Sequence, residues 1–109
     1  MTDLAYKKCV PCEDGTPPLA LRQVDTLLKS VKGWKALGNQ HLDQDFEFKN
    51  FVEAMGFVSR VGLTAQKENH HPDICLHNWN QVKITLSTHA IGGLSENDFI
   101  LAAKIDRLL

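Results

Sequence analysis

The period of the hydrophobic pattern changes at Pro72, and this change limits the folds open to the chain more than any other feature. Upstream, Asn50 to Asn69 reads as one helix, with Phe51, Met55, Val58 and Gly62 along a stripe and Val52, Phe57 and Val61 widening it. Downstream, Val82, Ile84 and Leu86 alternate with Lys83, Thr85 and Ser87, which predicts a strand over 81–88 with one apolar and one polar face. Proline disfavours the α region for the residue before it, so His71 is expected to be extended and the helix must stop near Asn69 or His70. Two imidazoles therefore sit where a helix ends. That position favours positive charge and suits a side chain that donates a proton near pH 7. His89 continues the polar parity of the strand and is expected to reach the same solvent-facing pocket as His71.

The remainder of the chain supplies the layers around this junction. Residues 1–18 end in EDGTPP and read as a leader before a helix start. Leu21, Val24, Leu27, Leu28 and Val31 fall at helical spacing and are closed by Gly33, predicting a helix over 19–32. Trp34 and Ala36 on one side of Gly38-Asn39, with Leu42, Phe46 and Phe48 on the other, predict a hairpin over 34–37 and 41–48. After the Gly92-Gly93 break, Ser95 reads as an N-cap with Glu96 and Asp98 in the first turn. Leu101, Ala102, Ile105, Leu108 and Leu109 then line the core face of the last helix. The order helix, hairpin, helix, strand or strands, helix argues for one α+β domain with helices on one face of a small antiparallel sheet. The helix over 50–69 carries more apolar surface than one sheet face buries, so part of it is expected to meet another subunit.

Charge and cysteine usage narrow the partners. With 12 basic and 13 acidic residues dispersed along 109, the chain has no electrostatic footprint for nucleic acid or an anionic membrane. No apolar run approaches a membrane span, and MTDLAYKK lacks the apolar centre of a signal peptide. Three cysteines, an odd number, fit a reducing compartment, so a cytoplasmic location is expected. Cys9 and Cys12 have C-x-x-C spacing without a second pair, and read as incidental thiols in a flexible leader. No nucleotide or phosphate motif is present, and no cofactor is expected.

His70-His71-Pro72, followed at set intervals by Trp79, His89 and Asp98 and joined to ITLSTH, GLS, FEFKNF and LAAKID, closely resembles the pterin-4a-carbinolamine dehydratases from about Leu19 onward. The resemblance implies three helices on a four-stranded antiparallel sheet, a homodimer or homotetramer, and no metal. It implies the removal of water from a 4a-hydroxytetrahydropterin, the product of an aromatic amino acid hydroxylase, in tetrahydrobiopterin recycling. Carried over residue by residue, it makes His71 and His89 candidates for acid and base, with His70 binding substrate or orienting its neighbour. Trp79 would cover the flat pterin ring, and Asp98 would orient a histidine or accept a hydrogen bond. Gln66 stands where the family commonly has Glu, and an amide can hydrogen-bond there but cannot take a proton. Glu68 lies out of register, and His41 and His77 match no motif position.

Each residue also has a plainer role open to it. Asp98 can be only the third residue of a helix starting after Ser95, and Trp79 only core. The alternative for the whole chain is a non-catalytic dimerisation or binding module, a transcriptional cofactor acting through its long helix. A three-histidine metal site from His70, His71 and His89 is disfavoured, because adjacent residues in extended chain point opposite ways.

Overall fold

A computed structural model describes residues 3–13 and 15–109; Met1, Thr2 and Asp14, all within the segment read as a leader, lie outside the described residues. Helices α1 (Leu21–Leu28), α2 (Phe51–Glu68) and α3 (Glu96–Asp106) accompany strands β1 (Lys35–Leu37), β2 (His41–Glu47), β3 (Asp73–His77) and β4 (Gln81–Leu86). The strands form one antiparallel sheet in the order β1-β2-β4-β3. Two hairpins thus lie side by side, and α2 is the connection that carries the chain from one to the other. Among the described residues no helix is long and apolar enough to cross a membrane.

α2 has clear local stops. Asn50 accepts from the Glu53 N–H at 2.8 Å, a cap for one of the otherwise orphan donors. At the other end Asn69 turns left-handed, at φ 53°, while the His70 N–H donates to Ala65 O and the Asn69 N–H to Gln66 O, both at 3.2 Å. This closing turn releases the chain toward Pro72 and β3, as expected from the proline.

The core lies between the sheet and the helices. Leu42, Phe46, Val82, Ile84 and Leu86 face Ala54, Phe57, Val61 and Ala65 of α2, and α3 is buried from Asn97 to Ala103. Phe57 packs between Phe46 and Phe48, with ring centroids 4.8 Å apart in each pair. The alternation predicted for β4 holds, with Lys83 exposed and its apolar neighbours buried.

Several expectations change. The first helix covers only 21–28, although Val31 and Trp34 beyond it are buried and Trp34 Nε1 donates to Asp106 Oδ1 at 2.9 Å. β4 ends at Leu86, because Thr88 turns to pair with Gly93 and a 3-10 turn starts at His89. On α2, in line with the expected excess of apolar surface, Phe51 and Met55 lie on the part left facing outward, while Ala54 and Ala65 belong to the inward face, where small side chains let helix and sheet approach. Leu109 is exposed, since α3 ends at Asp106.

Part of the segment read as a leader packs on the domain. Leu4 and Ala5, in a short 3-10 turn over Leu4–Tyr6, are buried in the core, and Lys104 Nζ donates to Ala5 O at 2.7 Å. Lys104 also pairs with Glu68 at 3.7 Å, tying the start of the chain to both α3 and α2.

Candidate active site

The end of α2 hands over two histidines in succession, and each is turned by a different partner. His70 Nε2 lies 2.6 Å from Asp98 Oδ1. A carboxylate oxygen accepts, so this nitrogen carries the hydrogen and the ring orientation is set. Asp98 is fully buried at the start of α3, where its Oδ2 accepts from the Ser95 N–H at 3.0 Å and from Thr88 Oγ1 at 2.8 Å. With its hydrogen given to Asp98, Thr88 accepts from Ser95 Oγ at 2.7 Å. The helix-capping role and the histidine-orienting role are therefore both filled, one by each oxygen.

His71 turns the other way. Its Nε2 donates to Gln66 Oε1 at 2.9 Å, on the last turn of α2, which leaves Nδ1 without a protein partner among the described residues. The amide at this position holds the ring through a neutral hydrogen bond and places no charge beside it. His89, exposed at the start of the 3-10 turn His89–Ile91, completes the set. All three histidines line one cleft of about 310 Å³, together with Ser87, Thr88 and Asn97. Gln66 and Asp98 act from behind the lining.

Trp79 lies elsewhere. It lies in the three-residue turn Asn78-Trp79-Asn80 between β3 and β4, where Asn78 and Trp79 are left-handed at φ 51° and 58°. The five strand residues of β3 carry it roughly 15 Å along the sheet from the histidine end. At 59% exposure it is neither core nor part of this cleft. His77 is exposed, and His41 is half-buried with Nε2 3.6 Å from Asp43. Among the described residues no three His, Cys, Asp or Glu side chains are grouped to hold a metal ion.

The cleft has a wall that sequence reasoning missed. Cys9, Val10, Pro11 and Cys12 line it as an irregular strap. The Cys9 N–H donates to Glu68 Oε1 at 2.8 Å, the Val10 N–H to Asn97 Oδ1 at 3.0 Å, and Asn97 Nδ2 donates to Val10 O. Cys9 Sγ donates to the Asn97 carbonyl at 3.6 Å. Burial first, and the neighbouring Glu68 carboxylate second, push the Cys9 thiol up to about 12 against the opposing pull of Lys104, so it stays protonated at neutral pH. No local pattern marks this wall, because its partners are 59 and 87 residues away in sequence.

Fold and site together define a small α+β protein with a histidine-lined cleft where its long helix meets its central strand. The chain belongs to the pterin-4a-carbinolamine dehydratase family, whose model, described as Pterin 4 alpha carbinolamine dehydratase, matches residues 17–108. A protein of Rubrobacter xylanophilus named "Putative pterin-4-alpha-carbinolamine dehydratase" is 49% identical over 108 residues, covering 99% of this chain and 100% of its own. One of the same name from Alkaliphilus metalliredigens is 48% identical, covering 98% and 96%. The crystal structure of a transcriptional coactivator/pterin dehydratase from Brucella melitensis superposes with a TM-score of 0.77 at 32% identity, over 84% of this chain and 97% of that one. A pterin dehydratase-like protein identified as a RuBisCO assembly factor in the alpha-carboxysome shares the fold, with a TM-score of 0.59 at 23% identity over 70% of this chain and 88% of its own.

Proposed function

We propose that this chain removes water from a 4a-hydroxytetrahydropterin to give the quinonoid dihydropterin, by proton transfer between histidines and substrate. The observation that carries the reading is the convergence of His70, His71 and His89 on one cleft. The nitrogen lone pair beside the carbinol carbon expels hydroxide only if the oxygen is protonated as it leaves, and the resulting cation must then lose a ring N–H proton. His71, with Nε2 given to Gln66, presents Nδ1 for the second step, and exposed His89 suits the first. His70 has Nε2 committed to Asp98, which fits it for binding and orientation. Trp79 has no part in this protomer's site. The scheme needs no electrons and no metal, and its setting is tetrahydrobiopterin recycling beside an aromatic amino acid hydroxylase in the cytoplasm.

His71→Ala is expected to lower the dehydration rate by about 10²- to 10⁴-fold, or roughly 3 to 5 kcal/mol of barrier, with folding retained because the side chain is exposed. Stopped-flow dehydration of the carbinolamine measures this. A full rate in the variant removes His71 from the mechanism.

Exposed Phe51, Val52 and Leu63 on α2 favour a second, compatible role as an interface, either in a homodimer or homotetramer or as a binding module of the coactivator kind. Wild-type protein that leaves the spontaneous dehydration rate unchanged would favour the module alone.

A further inference from the structure

The acid–base scheme leaves the flat face of the substrate uncovered, since Trp79 is at the far end of the β3–β4 hairpin. We propose that the strap Cys9–Cys12 is the wall that takes the flat face of the heterocycle, and that Asn97 is the positioning residue that holds the strap in place. This rests on the dehydratase reading above.

Three observations carry it. First, Cys9, Val10, Pro11 and Cys12 line the same cleft as the three histidines. Second, the strap is anchored to the domain through its backbone: the Cys9 N–H donates to Glu68, and the Val10 N–H and carbonyl pair with Asn97. Pro11 has no N–H at all. The Val10 and Pro11 side chains and the thiols of the strap form a surface suited to an aromatic face. Third, Asn97 is buried to 5% exposure, yet α3 does not need its side chain, because Asp98 reaches back to the Ser95 N–H. Both ends of the Asn97 amide go to the strap, with Nδ2 also 3.5 Å from Cys12 Sγ. A buried amide committed to an otherwise irregular segment is a device for fixing that segment. The protonated Cys9 thiol keeps the wall uncharged at neutral pH.

A cleft of about 310 Å³ is at the small end of ligand sites, so one wall contributes a large share of the contact area. The test uses the full-length protein, with biopterin as a non-reacting probe read by its fluorescence and the carbinolamine as substrate. Val10 is 64% exposed, so Val10→Glu leaves packing intact. It is expected to raise the Kd for biopterin and the KM about tenfold while kcat stays within roughly twofold. Asn97→Ala is expected to do the same and, in hydrogen exchange, to speed the Val10 amide without changing the amides of α3. If Asn97→Ala does not fold, Val10→Glu decides alone. Wild-type Kd and KM in Val10→Glu, or a loss confined to kcat, overturns the proposal while the dehydratase reading stands. Wild-type protein that neither binds biopterin nor accelerates dehydration overturns both, and is recognised by the failure of the unaltered chain.

Discussion

At Asp98 a single carboxylate satisfies the N-terminus of α3 through Oδ2 and orients His70 through Oδ1. Three donors converge on its two oxygens, from His70, Thr88 and the Ser95 backbone. Asp98→Asn keeps the shape but removes the charge and turns one acceptor into a donor, so either His70 gives up its Nε2 hydrogen and changes tautomer or two donors face each other. The expected result is a loss of about 1 to 3 kcal/mol in urea unfolding together with a slower dehydration rate, because a buried polar group left unmatched is costly. A variant that lost rate with no loss of stability would show the helix cap to be independent of the site. Sequence spacing can place Asp98 at the third position of a helix or at the end of a histidine motif, and both readings were legible. It cannot show that each needs only one oxygen. Gln66 was legible as an amide where a carboxylate is usual, but its grip on His71 Nε2 became visible only once α2 closed at Asn69.

Among the elements, α2 and β4 were the easiest to read, because Asn50, Asn69 and Pro72 are local signals and the alternation in β4 follows from one buried face. Sequence showed that α2 has more apolar surface than the sheet buries, but not which part of it faces inward. Phe51 and Met55 are larger than Ala54 and Ala65, yet shape against the sheet, a long-range property, decided the outcome. The strap was missed for the same reason: its conformation is set by side chains on α2 and α3. Its chemistry gives it a pH dependence. Cys9 keeps its proton in the folded state to about 12 instead of 9.0, so the folded chain holds more protons than the unfolded one between those values. The contribution is complete below pH 9 and is lost as pH rises toward 12. Unfolding midpoints taken from pH 8 to pH 10.5 should fall more steeply in wild type than in Cys9→Ala, and parallel curves would remove Cys9 as the cause.

On the scale of the whole molecule, the short turn Leu4–Tyr6 packs against the last helix, far from it in sequence. Leu4 is 5% exposed and Lys104 bonds the neighbouring Ala5 carbonyl. Leu4→Ala is expected to cost about 2 to 5 kcal/mol in urea unfolding, the usual range for emptying a buried leucine site. A free leader would make the change silent. The two apolar residues at 4 and 5 are too short a run to display a period, so the sequence alone could not distinguish a docked end from a loose one. The joining of Val10 to Asn97 also has a consequence for synthesis. Translation produces Val10 long before its fastener in α3, so a growing polypeptide has no finished cleft until that helix has left the ribosome. Fragments interrupted before α3 should therefore lack one fastened wall of the cleft.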